Sequence, residues 1–162
     1  MPGSVKHGKK EIKEWIDKQN DIKVIIDIGA GSATYPKILG DKYIYKAVEI
    51  WEPYIEMFNL NKYYQEIIIG DVDEIELPQG DLIIFGDILE HLEKQDAINV
   101  IEKAIKQFKH IIISIPIGKY PSKIHYGNKF EEHKSTWRFK DIENKTDWKI
   151  KFEVKQIGIF IK

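Results

Sequence analysis

Short, continuous apolar runs constrain this chain more than any other feature. Ile25-Ile26-Asp27-Ile28, Leu82-Ile83-Ile84-Phe85 and Ile111-Ile112-Ile113 show almost no polar alternation. A strand with one wet face alternates, so runs this short and this apolar belong to strands covered on both faces, as in a parallel sheet between helices. The stretches between them have helical spacing. Ile12, Trp15 and Ile16 share one side of an opening helix over about residues 8–19. Ala97, Ile98, Ile101, Ile105 and Phe108 make the sheet-facing stripe of a long helix. Strands are expected at about 23–28, 44–50, 66–70, 81–85 and 110–115, with a helix starting at Pro53. Strands alternating with helices imply an open α/β sandwich with right-handed crossovers. The end differs. Trp148 to Lys155 and Gln156 to Ile161 adjoin like a hairpin, giving seven strands, mostly parallel, with a C-terminal antiparallel pair.

Bulk properties fit one domain over residues 1–162. The chain is 43% hydrophobic and 31% charged, with net charge -1, which excludes a general electrostatic pull toward nucleic acid or anionic membrane. Lys6, Lys9 and Lys10 make a small basic start, read as a solvated end. There is no cysteine, so disulfides, thiolate metal sites and cysteine nucleophiles are excluded. No apolar run reaches membrane-spanning length and no signal-peptide core opens the chain, which makes the cytoplasm the expected compartment. Residues 116–138 form one long irregular segment rich in His, Tyr, Gly and charge, the kind of loop that carries function.

The first apolar run leads into Gly29-Ala30-Gly31, and acids stand at the ends of later strands: Glu49, Asp71 and Asp87. In an open parallel sheet, ligands bind beyond the carboxyl ends of the strands, near the point where strand order reverses. Glycines there let the backbone turn tightly and approach a ligand closely. Glu49 could accept both hydrogen bonds from a ribose diol, or be a solvated loop acid. A dinucleotide would want a small third residue where Thr34 stands. An adenosyl sulfonium needs a glycine turn, a ribose acid and an acid for adenine after the third strand, which Asp71 in Gly70-Asp71-Val72 supplies. The second ligand fits better.

Asp27-x-Gly29-x-Gly31, Glu49, Gly70-Asp71 and the run Asp81 to Leu92 resemble, in order and spacing, the motifs of class I S-adenosylmethionine-dependent methyltransferases. The resemblance covers nearly the whole chain and implies a Rossmann-like, doubly wound sheet ending in an antiparallel strand pair. Ala33 stands where the family often has a third glycine. By resemblance, Asp27, Gly29, Ala30 and Gly31 would border the methionine part of S-adenosylmethionine, and Glu49 would hold the ribose. Ile50 or Trp51 would lie against adenine, with Asp71 and the Val72 backbone at its amino group. Phe85, Gly86 and Asp87 would face the sulfonium and the acceptor.

On the acceptor side, Glu90-His91 resembles a Glu-His pair of many small-molecule methyltransferases, with His91 as a base or merely packed at a helix start. Gly127-Asn128 and Glu131-x-His133-x-Ser135-Thr136-Trp137 resemble a stretch in small methyltransferases linked to glycan modification or encoded by viruses. That likeness makes Tyr126, His133 and Trp137 a roof over the acceptor and His133 a second candidate base, while Glu90 is a candidate acceptor contact that could instead orient His91 or solvate the helix start. Trp137 could instead only anchor a packed lid. His125, Glu131 and His133 match no defensible metal spacing, so no metal is expected. The absence of cysteine closes the covalent route to pyrimidine C5-methylation, and Phe85-Gly86-Asp87-Ile88 replaces the Asn/Asp-Pro-Pro-aromatic motif of nucleic-acid amine methyltransferases. The expected reaction is O-methylation of a small molecule or glycan. The alternatives are a protein lysine methyltransferase, possibly self-modifying, a cofactor- or partner-binding domain without turnover, and a nicotinamide-dependent oxidoreductase.

Overall fold

The computed structural model describes residues 6–120, 124 and 126–162. Seven strands form one sheet: β1 (Val24–Ile28), β2 (Ile44–Glu49), β3 (Glu66–Ile69), β4 (Leu82–Gly86), β5 (His110–Pro116), β6 (Ile150–Val154) and β7 (Ile157–Ile161). Their order is β3-β2-β1-β4-β5-β7-β6. The first five are parallel, and β7 runs antiparallel between β5 and β6. Strand order therefore reverses between β1 and β4, where the expected ligand site lies. The hairpin turn consists of Lys155 and Gln156, both at positive φ (47° and 63°). Two such residues give a turn whose twist suits paired antiparallel strands.

The apolar runs are buried on both faces, as their composition requires, and alternation divides them between two cores. Ile26, Ile28, Ile83, Phe85, Ile111 and Ile113 pack under α4 (Lys94–Gln107) and α5 (Phe139–Glu143). Ile25, Leu82, Ile84 and Ile112 face α1 (Lys9–Ile16), α2 (Thr34–Leu39) and α3 (Pro53–Met57). The stripe of α4 is narrower than its sequence suggests. Ala97, Val100, Ile101 and Ala104 are buried, Ile98 and Ile105 only partly, and Phe108 caps the helix in an extended conformation. Pro53 occupies the first turn of α3, where its missing N–H costs nothing. Among the described residues, no helix is long and apolar enough to cross a membrane.

Two sequence readings fail in physically simple ways. Lys9 is not part of a solvated end; it is 5% exposed, whereas its neighbour Lys10 is open to solvent. Positions 9, 12 and 16 share one helical face, so the Lys9 stem runs along the apolar stripe that Ile12 and Ile16 define. Trp137 does not roof a pocket. It is wholly buried in the α4 core, its indole N–H donates to Ser135 Oγ at 2.9 Å, and Lys94 Nζ lies 4.4 Å from its ring. It anchors the segment that follows β5.

Candidate active site

The glycine turn closes the β1 end of the sheet. Gly29 N–H donates to Val48 O at 2.8 Å, which extends the β1–β2 ladder by one rung. Gly29 then turns at φ 74°, and a Cβ there would come within 2.8 Å of Ile88. Both facts demand glycine. Ala30 and Ala33 are buried beneath the turn, Ala33 at φ 57° at the start of α2. The end of β2 meets this turn through Glu49, which is 4% exposed. Its carboxylate accepts from Gly31 N–H at 3.0 Å and from Trp51 N–H at 2.9 Å. Burial pushes the Glu49 pKa up, and those backbone donors pull it partly back.

Glu49 and Gly29 line a cleft with Ile28, Ile50, Asp71 and Val72, which reaches His91 at its other end. Asp71 sits half-buried beside Asp73, and burial first, then that second acid, raise its pKa to about 6. The ring of Trp51 lies 6.3 Å from that of Phe130, which forms part of the cleft wall. The cleft holds about 50 Å³, so a nucleoside-sized group would enter only with the outer wall displaced.

Asp27 takes a different place from the glycines that follow it. It is 2% exposed and accepts a 2.6 Å hydrogen bond from the Tyr64 hydroxyl. Burial raises its pKa to about 7, against the pull of Tyr64 and Lys9. Phe85 is buried completely in the α4 core, because it falls in register with Ile83 on that face. Its side chain therefore cannot face a ligand at the strand ends. Gly86 can, and is held close: a Cβ there would meet the Tyr35 ring at 2.5 Å.

Asp87, at φ 56°, joins a polar network beyond β4 and β5. Ser114 Oγ donates to it at 3.2 Å, and Lys9 Nζ lies 3.9 Å away. The same ammonium donates to Tyr35 Oη at 2.9 Å and to Ser114 Oγ at 3.3 Å. Burial works against that charge, but Tyr35 and Asp87 outweigh it and hold the pKa above the ordinary lysine value. Lys9, Tyr35, Tyr64 and Ser114 were not legible as site residues, since only the fold brings residue 9 to residue 114. The one available signal was the alignment of Lys9 with Ile12 and Ile16.

After Asp87 a 3₁₀ turn, Leu89–His91, presents Glu90 and His91. Glu90 is 2% exposed, and burial followed by the nearby Asp87 pushes its pKa well up. The loop closes over this turn by backbone bonds: Lys134 N–H and Ser135 N–H donate to Glu90 O at 2.9 and 3.0 Å. That brings His133 beside His91, ring centroids 4.9 Å apart. Burial lowers the pKa of both histidines. Glu90, His133, Gly118, Tyr120 and Ser135 line a second cavity of about 280 Å³ next to the cleft. Tyr126 lies outside both. It is exposed at φ 54°, with its ring 6.2 Å from Phe58. Glu131 accepts a bond from Tyr54 Oη at 2.8 Å, and His125 is outside the described residues.

No family model and no curated protein sequence matches the chain. Solved structures do. A S-adenosylmethionine-dependent methyltransferase from Clostridium acetobutylicum is similar with a TM-score of 0.71 and 14% identity, over 96% of this chain and 89% of that one. The N-terminal domain of EvdMO1, crystallised with SAH and D-fucose, gives 0.66 and 12%, over 98% and 82%. The mitomycin 7-O-methyltransferase MmcR gives 0.65 and 11% over 95% of this chain, which spans about half (53%) of that enzyme. The chain thus has the class I S-adenosylmethionine-dependent methyltransferase fold: a seven-stranded Rossmann-like sheet, parallel except for its C-terminal pair.

Proposed function

We propose that this chain is an S-adenosylmethionine-dependent methyltransferase acting on an oxygen of a small molecule or glycan. The observation that carries the reading is the meeting of two spaces at one turn. A cleft bounded by Gly29, Glu49, Asp71 and Val72 ends at His91, and the second cavity begins at Glu90 and His133. The donor set suits the cofactor: a glycine turn open to close approach, a buried carboxylate on the second strand and an acid after the third. The fold neighbours support the same reading, since EvdMO1 was crystallised with SAH, the demethylated cofactor, and D-fucose.

The bound cofactor supplies a methyl group already activated on sulfur, so alignment and proton removal are the protein's tasks. Gly29 and Gly31 border the methionine part, and Glu49 accepts from the ribose with the lone pairs its two backbone partners leave free. Ile50 and Val72 flank the base, with Asp71 at its amino group. An acceptor in the second cavity would lie against Glu90 and His133, with His91 beside His133. With the cofactor bound, an acceptor hydroxyl would be methylated and His91, His133 or Asp87 would take its proton.

Calorimetric titration with S-adenosylmethionine and with SAH, with NAD as comparator, tests the cofactor. Micromolar binding of a sulfur ligand with NAD silent is expected. Binding of NAD alone would replace this reading with an oxidoreductase.

A further inference from the structure

We propose that Glu90, His91 and His133 form a binding site for a divalent transition-metal ion at the junction of the cleft and the second cavity. One ligand atom from each residue lies within 4.8 Å of the others. The two histidines come from segments 42 residues apart, and backbone hydrogen bonds from Lys134 and Ser135 to Glu90 O hold those segments together.

Hydrogen-bond chemistry fixes what this cluster offers. His91 Nδ1 lies 3.2 Å from Glu132 O, and His133 Nδ1 lies 3.2 Å from Tyr120 O. A carbonyl only accepts, so both Nδ1 atoms carry hydrogen and each ring has its lone pair on Nε2. A ring N–H held by a backbone carbonyl is the arrangement that orients metal-binding imidazoles. Glu90 adds a carboxylate, with Oε1 4.0 Å from His133 Nε2 and with Oε2 buried and lacking any hydrogen-bond partner. The cluster thus turns two imidazole lone pairs and a buried carboxyl toward one another. A cation fits this convergence of ligand atoms.

Two imidazoles and one carboxylate select Zn²⁺, Mn²⁺ or Fe²⁺ over Mg²⁺ or Ca²⁺, which take oxygen ligands. Ligands at about 2.0–2.2 Å from a tetrahedral ion stand roughly 3.3 Å apart, so the three groups draw together by side-chain rotation. The ion would leave a coordination position open toward the second cavity, since Glu90 and His133 line it. Its use there, orienting and acidifying an acceptor oxygen whose proton then leaves to Asp87 or water instead of to the ligating histidines, rests on the methyl-transfer reading. Ion binding itself does not.

Chelator-stripped protein, free of cofactor, is titrated with Zn²⁺, Mn²⁺ and Mg²⁺. One Zn²⁺ or Mn²⁺ per chain is expected at micromolar affinity or better, with Mg²⁺ at least about tenfold weaker. His133→Ala and Glu90→Gln should each weaken binding at least about a hundredfold. Imidazole nitrogen NMR of the wild-type protein gives a readout independent of variant folding: Zn²⁺ should move Nε2 of His91 and His133 and leave His110 unchanged. Absence of one-to-one binding, unchanged affinity in folded variants, or unmoved His91 and His133 signals would each overturn the site. SAH titration of the same samples separates the two proposals. SAH binding without metal binding removes the ion and keeps the methyltransferase; metal binding without SAH binding does the reverse.

Discussion

The glycine end of the site and its histidine end, beyond the cleft, are built in opposite ways. At the glycine end, Gly29, Gly31, Glu49 and Asp71 stand at adjacent strand ends, and the bonds that fix them run largely to backbone N–H groups. At the histidine end, Lys9, Asp87, Glu90, Ser114 and His133 are joined by side chains and a loop, across sequence separations as large as 105 residues. A site made of strand ends comes with the sheet. A site made of distant side chains depends on the packing that delivers them, and it can lose that packing while the sheet survives.

The largest test of this contrast is Trp137→Ala. The indole is wholly buried, so removing it should cost about 3–5 kcal/mol in urea denaturation. SAH affinity should stay within about threefold of wild type, because the bonds that fix Glu49 run to the Gly31 and Trp51 N–H groups and not to that ring. A parallel collapse of SAH binding would mean the two ends are one unit.

Asp27→Asn probes the floor of the glycine end. The wild-type carboxyl ionises near 3.8 when unfolded and at about 7 when folded, so its linkage lowers stability as pH rises from about 4 to 7. The full effect is at most about 4 kcal/mol. The variant should match wild type at pH 4 and be the more stable protein at pH 8; equal melting profiles at both would refute the protonated Asp27.

Glu49→Ala strips Gly31 and Trp51 of their acceptor and should weaken SAH binding roughly ten- to a hundredfold by calorimetry, with the far-ultraviolet spectrum intact. Lys9→Met keeps the stem but removes the ammonium from Tyr35, Ser114 and Asp87. A loss of about 1–3 kcal/mol is expected by denaturant titration. Lys10→Ala, one residue on but open to solvent, should change nothing measurable, and any sizeable loss there would undo the distinction between the two lysines.

The same contrast governs what could be read from the amino-acid sequence. Strands, their parallel arrangement and the final hairpin follow from apolar runs of fixed period, and the glycine turn with Glu49 and Asp71 follows from local spacing. Phe85 was misjudged because a motif position says nothing about which face of a strand a side chain takes; its register with Ile83 decides that. The roof reading of Trp137 and the solvated-end reading of Lys9 fail for a related reason. An aromatic residue in a polar loop and a lysine in a basic run are assigned by neighbours in sequence, whereas their burial is set by α4 and by the Ile12–Ile16 stripe. Glu90 with two histidines could not be seen as a cluster, because 42 residues and a whole helix separate its parts.

The seating of α1 carries a consequence for how the protein is made. A Cβ at Gly8 would come within 2.7 Å of Ile159, and Ile12 and Ile16 share their core with Ile157, Ile159 and Ile161 of β7. Synthesis delivers α1 well before β7. Until β7 is made, therefore, the helix that carries Lys9 lacks part of its floor, although the five parallel strands precede β7 in the chain. The seating of Lys9 therefore follows the formation of the sheet and does not precede it.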